Sequence, residues 1–342
     1  MTNPFKIRVE HVSKIFGPDP QAALTKVNAG MSKTDLLAQS NNILGLQDIN
    51  LNIRAGETFV IIDLSGSGKS TLIRHFNRLI EPTAGRILVD DVDVLTLNEA
   101  DLRALRRKKI SMVFQRFALL PHKTVLENVI YGLVIDGMRK EHARAKGAEQ
   151  IALVGLAGLE SHYPGQLSGG MQQRVGLARA LALALATDAE ILLMDEAFSA
   201  LDPLIRHDMQ LQLRDIQARL HKTIVFIAHN LDEALLLGDH IAMLKDGLLR
   251  QVGTGPDILV APADDYVARF VRDVNWARIV TCGDLAAPGK EVGDTVLTSG
   301  QTVESAYAAL ASSDAPITVP HANGDLAGVL TRHRVFDALA RT

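Results

Sequence analysis

The stretch that most constrains this chain is Ile61-Ile62-Asp63-Leu64-Ser65-Gly66-Ser67-Gly68-Lys69-Ser70-Thr71, which reads as a strand end, a glycine-rich turn and the first turn of a helix. Backbone N–H groups of Ser65 to Ser70 can wrap a polyphosphate, Lys69 can reach its β and γ groups, and the Ser70 hydroxyl can ligate Mg²⁺. One position departs from the pattern G-x-x-x-x-G-K-[ST], because Asp63 stands where the first glycine belongs. A carboxylate about 4 Å from a phosphate, at an effective dielectric near 20, costs on the order of 4 kcal/mol per unit charge faced, before screening. Asp63 therefore either weakens anion binding or has its charge turned to solvent or held by loop N–H groups.

Upstream, Ile7 to Val12 begins with the apolar/polar alternation of a strand, and the chain runs on to Lys14-Ile15-Phe16-Gly17. Phe16 at its end can stack on a nucleotide base or can simply fill the core. Pro18 to Ile43 is largely polar and reads as an insertion between two strands, with Ser32-Lys33-Thr34-Asp35 as a helix start. Leu44 to Phe59 resumes the alternation, with Arg54-Ala55-Gly56-Glu57 expected as a hairpin turn. After a helix from Ser70 to Arg78 come a strand over Arg86 to Val89, a short strand ending at Val113-Phe114-Gln115, and helices over Thr124 to Tyr131 and Lys140 to Val154. Gln115 falls where a strand end can offer an amide oxygen to a metal or a water, or can be a solvated loop residue.

Three further sites lie downstream. Leu167-Ser168-Gly169-Gly170-Met171 opens a long helix, and its bare N–H groups with the Ser168 hydroxyl form either a second anion site or a plain N-cap. Ile191-Leu192-Leu193-Met194-Asp195-Glu196 is a continuous apolar run ending in two acids, as a buried parallel strand does at a ligand crevice. Asp195 can hold Mg²⁺ through water, and Glu196 is placed to polarise an attacking water. The strand Thr223 to Ala228 ends at His229, which can touch a γ-phosphate or its water, or can be structural. Composition shifts after about Asn275 into a β-α-β-β-α unit: Val292 to Leu297, Thr302 to Ser312, Pro316 to Pro320, a turn at Asn323-Gly324, Leu326 to Thr331, and Arg334 to Arg341. At roughly 60 residues such a unit is near the lower limit of independent stability and is expected to pair with something.

Composition removes several classes. With 342 residues, 47% hydrophobic and 22% charged, the chain is expected to fold into two or three domains rather than remain disordered. A net charge of −3 gives no general attraction to nucleic acid, and the one cysteine, Cys282, excludes a disulfide framework and suits a reducing compartment. Met1 to Lys6 has no apolar run that could serve as a signal peptide. The stretch Leu177 to Ala186 is interrupted by Arg179 and is shorter than the ~20 residues of a bilayer span, so membrane association is expected through a partner.

Taken together, the P-loop, Gln115, Leu167 to Met171, Leu193-Met194-Asp195-Glu196, Ser199-Ala200-Leu201-Asp202 and His229 resemble the ATP-binding cassette ATPases in order, type and spacing, over residues 5 to about 272. Longer stretches are similar to the ATPase subunit of bacterial glycine betaine, proline betaine and choline importers, among them Phe76 to Thr83, Met112 to His122 and Glu196 to Arg206. The C-terminal unit resembles one CBS (cystathionine β-synthase-type) motif. The resemblance implies an α/β fold: residues 1–275 as a P-loop nucleotide-binding domain with a mixed sheet core and a helical subdomain at about 116–180, and 276–342 as a small α+β CBS-like unit for regulation or dimerisation. It implies that Phe16 stacks on adenine and that Asp63, Leu64, Ser65, Gly66, Ser67, Gly68, Lys69, Ser70 and Thr71 surround the phosphates. Ser70, Gln115 and Asp195 would serve Mg²⁺, Glu196 would be the general base and His229 would sense the γ-phosphate. Ser168, Gly169 and Gly170 would contact ATP held by the other subunit of a homodimer, and the Gln115 to His122 region would couple hydrolysis to a permease that receives substrate from a periplasmic binding protein. A peripheral location on the cytoplasmic face of the inner membrane and import of a quaternary ammonium osmoprotectant follow, with no nucleic acid partner. The alternative is a nucleotide-binding regulatory subunit with turnover impaired by Asp63. Two other departures are Asn230, where Asp commonly follows the switch histidine, and the Ala-Leu repeat around Leu183 to Ala186, about four residues or roughly one extra helical turn rotated by only ~40°.

Overall fold

A computed structural model describes residues 4–63, 68–114, 119–186, 189–199, 201–272, 274, 277, 279–289, 296–312, 315–321 and 325–340. The chain forms two compact units, residues 1–239 with 244–249, and residues 240–243 with 250–342.

The first unit starts with β1 (Phe5–Phe16), α1 (Pro20–Asn28), α2 (Lys33–Ser40), β2 (Ile43–Arg54), β3 (Thr58–Ile62) and α3 (Lys69–Phe76). It continues through β4 (Ala84–Val89), β5 (Val92–Asp93), α4 (Glu99–Lys108), β6 (Ile110–Val113), α5 (Val125–Val129), α6 (Tyr131–Ile135), α7 (Lys140–Leu153) and α8 (Gly169–Ala186). Then come β7 (Ile191–Met194), α9 (Pro203–Leu220), β8 (Thr223–Ala228) and α10 (Leu231–Leu237). The chain passes between the units along β9 (His240–Lys245) and β10 (Leu248–Gly253). Asp246 and Gly247 between them are both left-handed, at φ 54° and 83°, as a two-residue hairpin turn of type I′ requires.

Two kinds of strand separate into two sheets. β1 and β2 largely alternate buried and exposed residues and lie in an antiparallel sheet of order β2-β1-β4-β5. Every residue of β3, β7 and β8 is buried, and these strands run parallel, with β6, β7, β8 and β3 side by side in that order. The turn after Arg54 is therefore not the hairpin expected from sequence. β2 and β3 belong to different sheets, and Ala55-Gly56 carries the chain from the half-exposed layer to the buried one. The register Ile62↔Ala228, Met194↔Phe226 and Val113↔Met194 brings the residues that follow β3, β8, β7 and β6 to one edge of the parallel sheet.

The insertion after β1 is helical. Asp19 and Ser32 cap α1 and α2, accepting from Ala22 N and Asp35 N at 3.1 Å each, and Pro20 occupies the first turn of α1. Ala23, Leu24, Val27 and Leu36 pack on Ile15 and Leu44 in a small apolar cluster. On the other side of the unit, α5, α6 and α7 pack against α8. Fully buried Asn128 on α5 organises the loop before it: its Oδ1 accepts from Leu120 N at 2.7 Å, and its Nδ2 donates to the carbonyls of Leu120, Lys123 and Thr124. α8 is a single helix to Ala186, so the Ala-Leu repeat is taken up within it.

In the second unit, α11 (Gly255–Val260) and α12 (Asp265–Val271) precede α13 (Cys282–Leu285), α14 (Val303–Ser312), β11 (Ile317–Pro320), β12 (Leu326–Leu330) and α15 (Arg332–Ala340). β11 and β12 are antiparallel, and Val296 forms an isolated parallel bridge with Thr318; α14, β11, β12 and α15 follow the order of helix, two strands and helix read from sequence. Most of the expected first strand and the Asn323-Gly324 turn lie outside the described residues.

His75 on α3 is fully buried, and its Nδ1–H donates to Ile80 O at 2.8 Å. Burial pulls its pKa down to about 4, with Lys14 acting in the same direction against the carbonyl bond. An unfolded chain protonates this group near 6.5, so below that pH the unfolded state gains a proton that the fold refuses. The stability held by neutral His75 is complete above pH 6.5 and is lost as pH falls towards 4. Urea unfolding at pH 6.5 and 4.5 is expected to show His75→Gln losing less stability than the parent over that interval, by about 2–3 kcal/mol; parallel losses would refute this.

Candidate functional site

The edge where β3, β7 and β8 end carries the candidate site. Asp195 follows β7 and is completely buried, and its two oxygens are shared by α3: Ser70 Oγ donates to Oδ1 at 2.7 Å and Arg74 Nη2 to Oδ2 at 2.8 Å. A carboxylate without water must be paired, and here a hydroxyl and a guanidinium do it. Both Ser70 and Asp195 are hard oxygen donors side by side, a donor set that fits Mg²⁺.

Glu196, the next residue, has φ 52°, a left-handed backbone that non-glycine residues seldom adopt. Its carbonyl is held by Gln173 Nε2 at 3.0 Å and by Ser199, whose N and Oγ approach to 3.2 and 3.0 Å. That turn aims the carboxylate at His229 after β8, with Oε2 3.1 Å from Nε2. His229 is in turn fixed through its backbone N–H, which donates to Glu233 Oε2 at 3.1 Å, while Gln210 donates to Oε1 of the same residue at 2.9 Å. Asn230 caps α10 by accepting from Glu233 N at 2.8 Å, so the departure there keeps the turn.

Asp63 and Lys69 are both buried and form an ion pair. The Asp63 carboxylate is thus withdrawn from solvent and paired with the lysine that would meet a phosphate. Asp63 is absent from the left-handed residues, so its backbone does not demand glycine and accepts the side chain. Gly68 is different: at φ 96°, a Cβ there would lie 2.4 Å from Gly45 O.

A cavity of about 320 Å³ opens beside these groups, lined by Phe16, Asp63, Lys69, Ser70, Thr71 and Glu196 together with residues of the insertion side. Phe16 leaves 38% of its surface exposed there, with Lys14 Nζ 4.9 Å from the ring centroid. Gly45 makes room for the ring, since a Cβ would sit 2.9 Å from Phe16 Cε2. An exposed aromatic face at one place and a lysine, hydroxyls and a helix N-terminus at another fit a nucleoside polyphosphate.

Ser168, Gly169 and Gly170 stand at the surface at the start of α8, with Ser168 Oγ accepting from Met171 N at 3.3 Å, and they do not line the cavity. Leu64, Ser65, Gly66, Ser67 and Gln115 lie outside the described residues. Sequence reading missed Arg74, Gln173 and Gly45. Only Gly45 left a signal, as a glycine inside an alternating strand, which marks a close approach.

A family model described as "ABC transporter" matches residues 46–199. The chain is 52% identical to the glycine betaine transport ATP-binding protein OpuAA of Bacillus subtilis, over 82% of this chain and 66% of that one. It is 45% identical to the trimethylamine N-oxide transport system ATP-binding protein TmoW of Ruegeria pomeroyi, over 98% of this chain and 97% of that one. Among solved structures, the dimeric post-hydrolysis state of the ATP-binding cassette MJ0796 bound to ADP and Pi matches with a TM-score of 0.62 and 32% identity, covering 73% of this chain and 98% of that one.

Because a polyphosphate must draw Lys69 away from Asp63, Asp63→Gly is expected to tighten ATP binding by about tenfold or more, ~1.4 kcal/mol. Titration calorimetry of parent and variant checks this, and equal dissociation constants would show that the pair does not compete with the ligand.

Proposed function

The chain belongs to the ABC transporter family, and we propose that it is the ATP-hydrolysing subunit of an importer for a quaternary ammonium or related methylamine osmolyte. Glycine betaine, proline betaine and choline are the substrate class expected from sequence, and the name of TmoW adds trimethylamine N-oxide. The observation that carries the reading is the Glu196–His229 contact at the strand edge, beside a cavity that holds Lys69 and Ser70.

MgATP, when bound, supplies an electrophilic γ-phosphorus and a leaving group. The chain's own residues do the rest. Phe16 takes the adenine face, Lys69 and Gly68 with the residues before them hold the phosphates, and Ser70, Asp195 and Gln115 serve the metal. Glu196 accepts the proton of the attacking water, and its bond to His229 keeps the carboxylate oriented. The surface position of Ser168 to Gly170 supports a homodimer in which each copy completes the partner's site, as does the dimeric state of MJ0796. The dimer docks on a membrane permease served by a substrate-binding protein, which places the subunit at the cytoplasmic face of the inner membrane; among the described residues no helix is long and apolar enough to cross a membrane. Residues 276–342 form the CBS-like unit, pair across the homodimer and regulate uptake. A regulatory subunit with turnover impaired by Asp63 draws no support from the relatives or from the site, where Glu196, His229 and Asp195 stand together.

Phosphate release from MgATP by the parent is expected to fall about 10²-fold or more in Glu196→Gln. A parent no faster than Glu196→Gln would sink the ATPase reading. In vesicles carrying the permease, glycine betaine uptake is expected to depend on ATP, and deletion of residues 276–342 is expected to abolish its salt dependence while uptake persists; an unchanged salt response would remove the regulatory role.

A further inference from the structure

The cavity has a part that the P-loop and strand-edge residues do not account for. Lys33, Ile43 and Leu44 also line it, and they come from the helical insertion and the strand that follows. The insertion is anchored: its apolar residues share a cluster with Ile15 and Leu44, and the Ser32 cap fixes the first turn of α2. Lys33 is the first residue of that turn, so the fold determines where its side chain starts.

For the helix alone this is a poor place for a lysine. Lys33 carries its charge on the first turn, at the positive end of the helix dipole, where an acid is favoured and a cation is not. Among the described residues, Lys33 has no hydrogen bond or ion pair that would offset this. The other lysine in the cavity is committed, since Lys69 is bound to Asp63. Glu196 adds a second acid to the lining. The described lining thus holds two acids, one lysine neutralised by one of them, and one lysine without a partner. A tri- or diphosphate entering such a space meets Lys33 as its uncommitted cation.

We propose that Lys33 is a nucleotide ligand, its ammonium binding the phosphate chain of the ATP whose base rests on Phe16. The insertion then has a function in this chain: it brings to the cavity a cation that offsets the carboxylate of Asp63. This rests on the reading of the cavity as the ATP site.

The test is nucleotide binding to the full chain by calorimetry, with MgATP and with adenosine, for the parent, Lys33→Gln and Lys33→Arg. Lys33→Gln is expected to raise the Kd for MgATP about tenfold, to leave adenosine binding unchanged and the unliganded melting temperature unchanged or slightly raised, and to be largely rescued in Lys33→Arg. The gap between parent and Lys33→Gln should narrow as salt rises, because a charge contact is screened. If the parent binds MgATP and Lys33→Gln matches it at low salt, the inference is overturned while the ATP site stands. If Lys33→Gln weakens adenosine and MgATP equally, the residue acts by packing and the phosphate contact is refuted. A parent that binds no MgATP overturns the assignment of the cavity, and the role of Lys33 with it.

Discussion

The buried carboxylate of Asp195 is the point on which the site depends. It follows β7, between β6 and β8 in the parallel sheet, and is met by Ser70 and Arg74 from α3, so one residue joins the strand edge to the P-loop helix. Removing Arg74 would leave the buried Asp195 charge without its counter-ion, which is far costlier than losing a surface pair, and removing Ser70 would leave one of its oxygens short of a donor. That cost fixes the spacing between helix and strand. The same strand end sets Glu196 in a left-handed turn, held by Gln173 of α8 and by Ser199, and so points its carboxylate at His229. Asp195 and Glu196 are consecutive in sequence yet face different partners, Ser70 and Arg74 for the first and His229 for the second.

Asp63 changes meaning in this setting. As a sequence feature it is a negative charge in an anion cradle. In the folded chain it is the partner of Lys69, so the charge is neutralised internally. The α1–α2 insertion adds Lys33 to the same cavity. The charges lining the cavity thus include three residues from two separated segments, Asp63 and Lys69 from the glycine-rich turn and Lys33 from the insertion.

Much of the architecture was legible because burial leaves a pattern. β7 and β8 are almost wholly apolar runs, and their acids and histidine fall immediately beyond the last apolar residue, so Asp195, Glu196 and His229 could be placed at an edge from sequence. The turn at Arg54-Ala55-Gly56-Glu57 was misread because turn residues report a reversal and not which layers it joins. The change from alternating β2 to uniformly buried β3 carries that information. The helix α1 was obscured within a largely polar insertion because only Ala23, Leu24 and Val27 of its nine residues are buried, too few to stand out as a stripe.

Local chemistry along the chain determined the start of α3 after Gly68, the strand-edge acids, the histidine after β8, the second glycine turn at Ser168 and the order of elements. Each depends on neighbouring residues alone: glycine where φ must be positive, apolar runs where both faces are covered, caps where helices begin. The pairing of Asp63 with Lys69, the clasp of Asp195 by Ser70 and Arg74, the support of Glu196 by Gln173, and the arrival of Lys33 beside Phe16 were decided only by the tertiary structure. They join residues that the chain separates by as few as six positions and as many as 125, and no local preference encodes which distant partner will neutralise a charge once water has been removed.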